Sequence, residues 1–168
     1  MFYTAFPVYA LQGLSWSITD IGLFFSFLGL TTVLVQGPLL GKLGPRFSDA
    51  ALVCGGAAIL ATAFLLFTSP SRTVLYVGAM LFSFGNGLMW PSFLALLANA
   101  ARAGFQGVVQ GIGRSVGSLA SIVGLIAGGI LYETIGGATF VGSAGLTFLV
   151  VALVLIYTRM SARTTRKT

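Results

Sequence analysis

The chain has 168 residues, of which 57% are apolar and 7% are charged, against about 25% charged in an average soluble domain. With a mean hydropathy of +0.99 and a net charge of +6, it lacks the polar skin of a soluble enzyme and the charge density of a disordered chain. One cysteine, Cys54, and no histidine exclude an internal disulfide scaffold, histidine-bearing zinc sites and Ser-His-Asp or Cys-His catalysis.

Residues 1–11 are uncharged, but as a helix they would reach only about 17 Å at 1.5 Å per residue. No basic stretch precedes them, so they do not read as a signal peptide. They are expected to form the far end of a helix whose start is missing. Gln12, Gly13 and Ser15–Asp20 read as a loop leading into the next element.

From Asp20 onward, the intervals between charged residues organise the sequence. No Asp, Glu, Lys or Arg occurs in 21–41, 50–71, 73–101, 115–132 or 134–158. Each interval is close to or above the roughly 20 residues that a helix needs to cross a bilayer. Five spans are therefore predicted, at about 21–38, 50–68, 74–99, 107–131 and 138–158, followed by a basic tail over 159–168. The runs are continuously apolar and do not alternate, which argues for helices over a barrel. Trp16 and Tyr132 are expected at the outer boundary, as in an aromatic belt.

The basic residues orient these spans. Lys42, Arg46, Arg102, Arg114, Arg159, Arg163, Arg166 and Lys167 fall on one side, and Arg72 alone falls on the other. The positive-inside rule puts the tail in the cytoplasm and Ser15–Asp20 outside. The net charge is thus a consequence of topology. No nucleic-acid partner is expected, and the tail is instead suited to weak attraction by anionic lipid.

Several positions carry more than apolar bulk. Phe24, Phe25 and Phe27 read either as packing residues or as the lining of an apolar cavity. Gln36 lies late in the first span and either lines a path or bonds to a neighbour. The segment Gly37-Pro38-Leu39-Leu40-Gly41-Lys42-Leu43-Gly44-Pro45-Arg46 reads as a tight turn with two cations at the headgroups. Asn86, in Gly85-Asn86-Gly87-Leu88-Met89-Trp90-Pro91, falls near mid-bilayer. An amide facing lipid there is costly, so Asn86 must meet protein or a cavity, as an interhelical hydrogen bond or a substrate contact. In the fourth span, Gln110, Arg114, Ser118 and Ser121 follow helical spacing and make a polar stripe. Beside it runs a stripe of small residues, Gly113, Gly117, Ala120, Gly124 and Gly128, suited to close packing. Arg114 reads either as a residue snorkelling to the headgroups or as a cavity cation. The only carboxylates, Asp20, Asp49 and Glu133, lie at helix ends or in loops, so no mid-membrane acid and no catalytic carboxylate pair is present.

These segments resemble the major facilitator superfamily. Its members carry G-x-x-x-D-[RK]-x-G-[RK]-[RK] between helices two and three and a degenerate copy between helices eight and nine. Gly37, Lys42, Gly44 and Arg46 fall on matching positions, while Gly41 stands where the aspartate would be and Pro45 replaces a basic residue. Gly85 to Pro91 is similar to the glycine-then-proline pattern of helix ten. Gly107-x-x-Gln110-Gly111-x-x-x-Ser115-x-x-Ser118 is similar to the start of helix eleven in the drug:proton antiporter branch.

The resemblance implies an all-α polytopic bundle, the C-terminal half of that fold, running from the end of helix seven to helix twelve. It implies a single transmembrane domain over 1–168 in an integral membrane protein, expected in a bacterial inner membrane with its C-terminus in the cytoplasm. It implies secondary transport of a small molecule, with efflux by alternating access and no enzyme activity or cofactor. Cavity contacts are expected from Gln36, Asn86, Gln110, Ser115 and Ser118, with Arg114 as the candidate cation and no metal. The expected partners are the bilayer, the small-molecule substrate, and a missing N-terminal six-helix half or a second copy. The alternative is a small membrane subunit with a structural or dimerising role.

Overall fold

A computed structural model describes residues 2–165, with side chains described for residues 2–156. The described chain is helical, with elements α1 (Phe2–Val8), α2 (Ile18–Leu34), α3 (Leu40–Leu43), α4 (Asp49–Leu66), α5 (Arg72–Ala100), α6 (Gln106–Ile135) and α7 (Ala138–Thr165). Wider π-helical turns at Tyr9–Gly13 and Val35–Leu39 extend α1 and join α2 to α3. Five helices are long and apolar enough to cross a membrane: Ile18–Leu43, Asp49–Leu66, Arg72–Ala100, Gln106–Ile135 and Ala138–Ile156. The last helix continues to Thr165, so the expected tail begins as helix. Its side chains, and residues 166–168, lie outside the described residues.

Local sequence explains where the helices start and stop. Ser17 and Asp20 form a reciprocal capping box: the Asp20 amide donates to Ser17 Oγ at 3.1 Å, and the Ser17 amide donates to the Asp20 carboxylate at 3.0 Å. Each bond satisfies an N–H that the helix itself cannot pair. Ser48 caps α4 in one direction only, accepting from the Ala51 amide at 3.3 Å. Gly136, at φ 56°, ends α6 in a backbone conformation that glycine adopts without a Cβ clash.

The expected turn over Gly37–Arg46 is shorter than predicted. Helix continues through Lys42 to Leu43, and only Gly44–Phe47 turn before Ser48. Pro38 invites a reading as a helix breaker because it lacks an N–H and crowds the preceding turn. Here the wider π turn absorbs it. Gly37 therefore sits in the widened turn and Lys42 in the last helical turn, while Gly44 and Arg46 belong to the connection.

The contacts define directions. Pairs 20–72, 24–76 and 28–83 make α2 and α5 parallel. Gly56 against Gly85 and Phe64 against Phe82 make α4 and α5 antiparallel. Trp90 against Gly117 and Leu97 against Gly113 make α5 and α6 antiparallel. Helices α4 and α5 cross with backbones touching. A Cβ on Gly85 would lie 2.6 Å from the Gly56 carbonyl oxygen and 2.6 Å from the Leu60 amide nitrogen.

The two ends of the bundle are built differently. Where α2 and α5 begin, the interior is packed with aromatic rings. Phe6 stacks on Phe24 at 4.3 Å, and Phe2 stacks on Phe67 and on Phe82 at 4.6 Å each. Phe24 is fully buried in this core, and Phe25 and Phe27 pack against it. Of the two readings of these residues, the packing one describes their place here, and none of the three is among the residues around the opening at the other end. Trp16 is 6% exposed, packed against Phe6 and Phe24 with the Arg72 guanidinium 4.9 Å above its ring. Its ring faces the interior of the bundle, at the level of the Asp20–Arg72 pair where α2 and α5 begin. Tyr132 is half-buried against Tyr9 and Phe140. At the other end, which carries Lys42, Arg46 and Arg102, α2, α5 and α6 separate around a cavity.

Candidate functional site

The cavity is about 860 Å³ and is walled by three elements. The π turn after α2 supplies Gln36. From α5 come Asn86, Trp90 and Leu94, at intervals of four, with Pro91 and Ala95 beside them. That spacing keeps one face of the helix toward the opening. From α6 come Gln110, Arg114, Gly117, Ser118 and Ser121, the polar stripe with one member of the small-residue stripe.

Of the residues singled out in the sequence, Gln36, Asn86, Gln110, Ser118 and Arg114 meet at this opening. Ser115 does not. It follows Arg114 by about 100° around the helix and lies exposed on the neighbouring face. The motif residues Gly37, Lys42, Gly44 and Arg46 are also outside the lining.

The small-residue stripe docks closely on α5, as expected, at Gly113 and Gly117. At Gly117 an added Cβ would lie 2.5 Å from the Trp90 ring, and at Gly113 one would lie 2.8 Å from the Leu97 side chain. These glycines make room for large α5 side chains, and the backbone-to-backbone crossing occurs instead at Gly56 and Gly85. Trp90, Pro91, Leu94 and Ala95 were not anticipated as lining. The signal was available, because each lies four, five, eight or nine residues beyond Asn86 and so shares its face.

The polar groups differ in what they have left to offer. Ser118 Oγ donates to the Arg114 carbonyl at 3.0 Å, and Ser121 Oγ donates to the Gly117 carbonyl at 2.9 Å. Both hydroxyl protons are committed to the helix, leaving lone pairs free to accept. The amides of Gln36, Asn86 and Gln110 offer both donors and acceptors, and Arg114 offers only donors.

No carboxylate lines the opening. Asp20 pairs with Arg72 at 3.2 Å, the one ion pair among the described residues. Asp49 accepts from the Asn99 amide at 2.9 Å. Glu133 lies nineteen residues beyond Arg114, about 28 Å along α6. Among the described residues no group of three or more candidate metal ligands exists.

Comparisons with known proteins agree with this architecture. A family model described as Major Facilitator Superfamily matches residues 1–168. Major facilitator superfamily domain-containing protein 10 of Mus musculus is 28% identical over 157 residues, which are 93% of this chain and 34% of that protein. The class G tetracycline resistance protein of Vibrio anguillarum is 26% identical over 131 residues, 78% of this chain and 33% of that protein. The crystal structure of the human organic anion transporter MFSD10 (TETRAN) superposes with a TM-score of 0.80 at 29% identity, covering 90% of this chain and 37% of that one. The chain thus spans about a third of the length of these relatives.

Proposed function

The chain belongs to the major facilitator superfamily, and from that membership we propose that it supplies the C-terminal half of a secondary transporter that exports a small molecule by alternating access. It is an integral membrane protein, and the family marks it as a transporter and not an enzyme. The observation that carries the proposal is the cavity between α2, α5 and α6, where amides from three separate elements face one opening. Polar side chains are expensive inside a membrane unless they meet each other, water or a ligand. The remaining wall comes from a further six-helix half or from a second copy.

Export is the proposed direction, with the C-terminus on the cytoplasmic side. The excess of basic residues at the cavity end supports a cytoplasmic placement of that end, from which an exported solute would load. The tetracycline resistance proteins among the relatives are consistent with efflux. Gln36, Asn86, Gln110 and Ser118 are the proposed substrate contacts, and no cofactor takes part.

The test is accumulation of a fluorescent drug in efflux-deficient bacteria expressing the full reading frame. Reduced accumulation that is abolished by Asn86→Ala or Gln110→Ala is the expected result. Accumulation that ignores both substitutions removes the cavity from the transport path. A stable homodimer in mild detergent with no export would favour a structural membrane subunit.

A further inference from the structure

We propose that Trp90 and Gly117 form a size filter part-way along the cavity, and that Gly117 sets its width by giving the Trp90 ring a place to lie. The inference rests on the cavity being the substrate site, and adds what limits a solute on its way to the far end, its cross-section.

The lining residues fall at different depths. Helices α5 and α6 run antiparallel, with Trp90 against Gly117. From that level Leu94 and Gln110 lie toward the basic end, four and seven residues along their helices, or about 6 and 10 Å. Asn86 and Ser121 each lie four residues the other way, about 6 Å further in. Gln36 joins them there, because a Cβ on Gly87 would lie 3.5 Å from Gln36 Cγ. Polar groups from three elements thus meet beyond the Trp90–Gly117 level, and a solute entering from the basic end passes that level to reach them.

One absent carbon sets the passage there. A Cβ on Gly117 would lie 2.5, 3.2 and 3.5 Å from Cη2, Cζ2 and Cζ3 of Trp90, so the outer edge of the indole rests on the glycine itself. An added methyl would have to push that edge away by about 1 Å to reach ordinary carbon contact. Phe93, which is outside the lining, flanks the indole at 6.0 Å with the ring planes 33° apart, so the side away from the opening is occupied. The exposed part of the Trp90 ring faces the cavity, and a displaced ring swings into it. Gly113 makes the same kind of room for Leu97, with an added Cβ 2.8 Å from Leu97 Cδ1, but neither of those residues lines the cavity. The two glycines share a steric role and differ in what a displaced neighbour would obstruct.

Inside-out bacterial membrane vesicles carrying the full reading frame with Ser121→Cys or with Gln110→Cys are treated with N-ethylmaleimide or with the bulkier fluorescein maleimide. Labelling rates at the introduced thiol are read by peptide mass spectrometry, and the ratio of the bulky rate to the small one is compared at the two depths. Gly117→Ala is expected to lower this ratio about tenfold at Ser121→Cys, on the scale that one added carbon has in a close-fitting pocket, and to leave it unchanged at Gln110→Cys. Adding Trp90→Ala is expected to restore it. Gly113→Ala is expected to change it at neither position.

A ratio that Gly117→Ala leaves unchanged, an equal fall at both depths, or a fall that Trp90→Ala does not restore overturns the filter. So does a thiol from Ser121→Cys that fluorescein maleimide does not reach in the otherwise unsubstituted protein. If Gly117→Ala fails to accumulate in the membrane, Trp90→Ala alone decides: it is expected to raise the ratio at Ser121→Cys and not at Gln110→Cys, and an unchanged ratio overturns the proposal. Export of a fluorescent drug that ignores Asn86→Ala and Gln110→Ala, while the labelling pattern holds, overturns the substrate-site reading and with it the filter's part in selection.

Discussion

Gly85→Ala tests the backbone crossing of α4 and α5. The new Cβ would sit 2.6 Å from the Gly56 carbonyl oxygen, 2.6 Å from the Leu60 amide nitrogen and 2.8 Å from Leu60 Cβ. Two of these three atoms are backbone and cannot rotate away. To restore even a tight 3.0 Å approach, α4 and α5 must part by about 0.4 Å along their crossing, and interiors packed at crystal-like density do not yield such a shift freely. Overpacking of this kind costs about 1–3 kcal/mol. The matched control is Gly111→Ala on α6, where nothing lies within 4 Å of the added carbon. There the change is expected within about 0.5 kcal/mol. Heat unfolding in dodecyl maltoside, followed by circular dichroism, compares the two. At about 2–4 °C per kcal/mol for a chain of this size, Gly85→Ala should melt several degrees below the control. Gly56→Ala should behave alike, and the double substitution should cost less than the sum, because the helices have already separated. Equal melting of Gly85→Ala and Gly111→Ala would refute the backbone crossing.

Four further substitutions probe other contacts. Gly117→Ala meets only the rim of the movable Trp90 ring at 2.5 Å, so it should cost less than Gly85→Ala while shifting the Trp90 fluorescence maximum; an unchanged spectrum would argue against the contact. Ser83→Ala removes a fully buried hydroxyl that donates to the Leu28 carbonyl at 2.9 Å, and should lower stability by about 0.5–1.5 kcal/mol, measurable in the same melt. Ser17→Ala, which loses the α2 cap, should cost about 0.5–2 kcal/mol. Arg72→Gln should cost less, because the Arg72 side chain is 58% exposed in its pair with Asp20 and such pairs contribute about 0–1 kcal/mol; the reverse ranking in parallel melts would contradict this.

The helical architecture was legible because a bilayer imposes a length, and the charged residues from Asp20 to Arg159 mark it off. The face of α6 that joins the opening was also readable, since Gln110, Arg114, Ser118 and Ser121 repeat at helical spacing. Ser115 falls outside this opening because adjacency in a motif is not adjacency on a helix face. The turn around Gly37 was overextended because Pro38 has two outcomes, a break or a widened turn, and local composition does not choose between them. The Gly56–Gly85 crossing was hidden for a related reason. Glycines occur throughout the chain, and only the packing of α4 on α5 selects the pair that touches. The packing of the Trp16 ring against Phe6, Phe24 and Arg72 was not legible, because residue type points to a depth in the membrane and not to the neighbours a ring will meet.

The division between a ring-packed end and an open polar end separates two kinds of heritable change. Substitutions among Phe2, Phe6, Phe24, Phe67 and Phe82 disturb a set of mutually supporting contacts, so their effects fall first on whether the chain accumulates in the membrane. Substitutions at Gln36, Asn86, Gln110 or Ser118 alter groups that face open space, so the chemistry of the wall can drift while the scaffold persists. A lineage built this way can vary the wall one residue at a time without passing through unfolded ancestors.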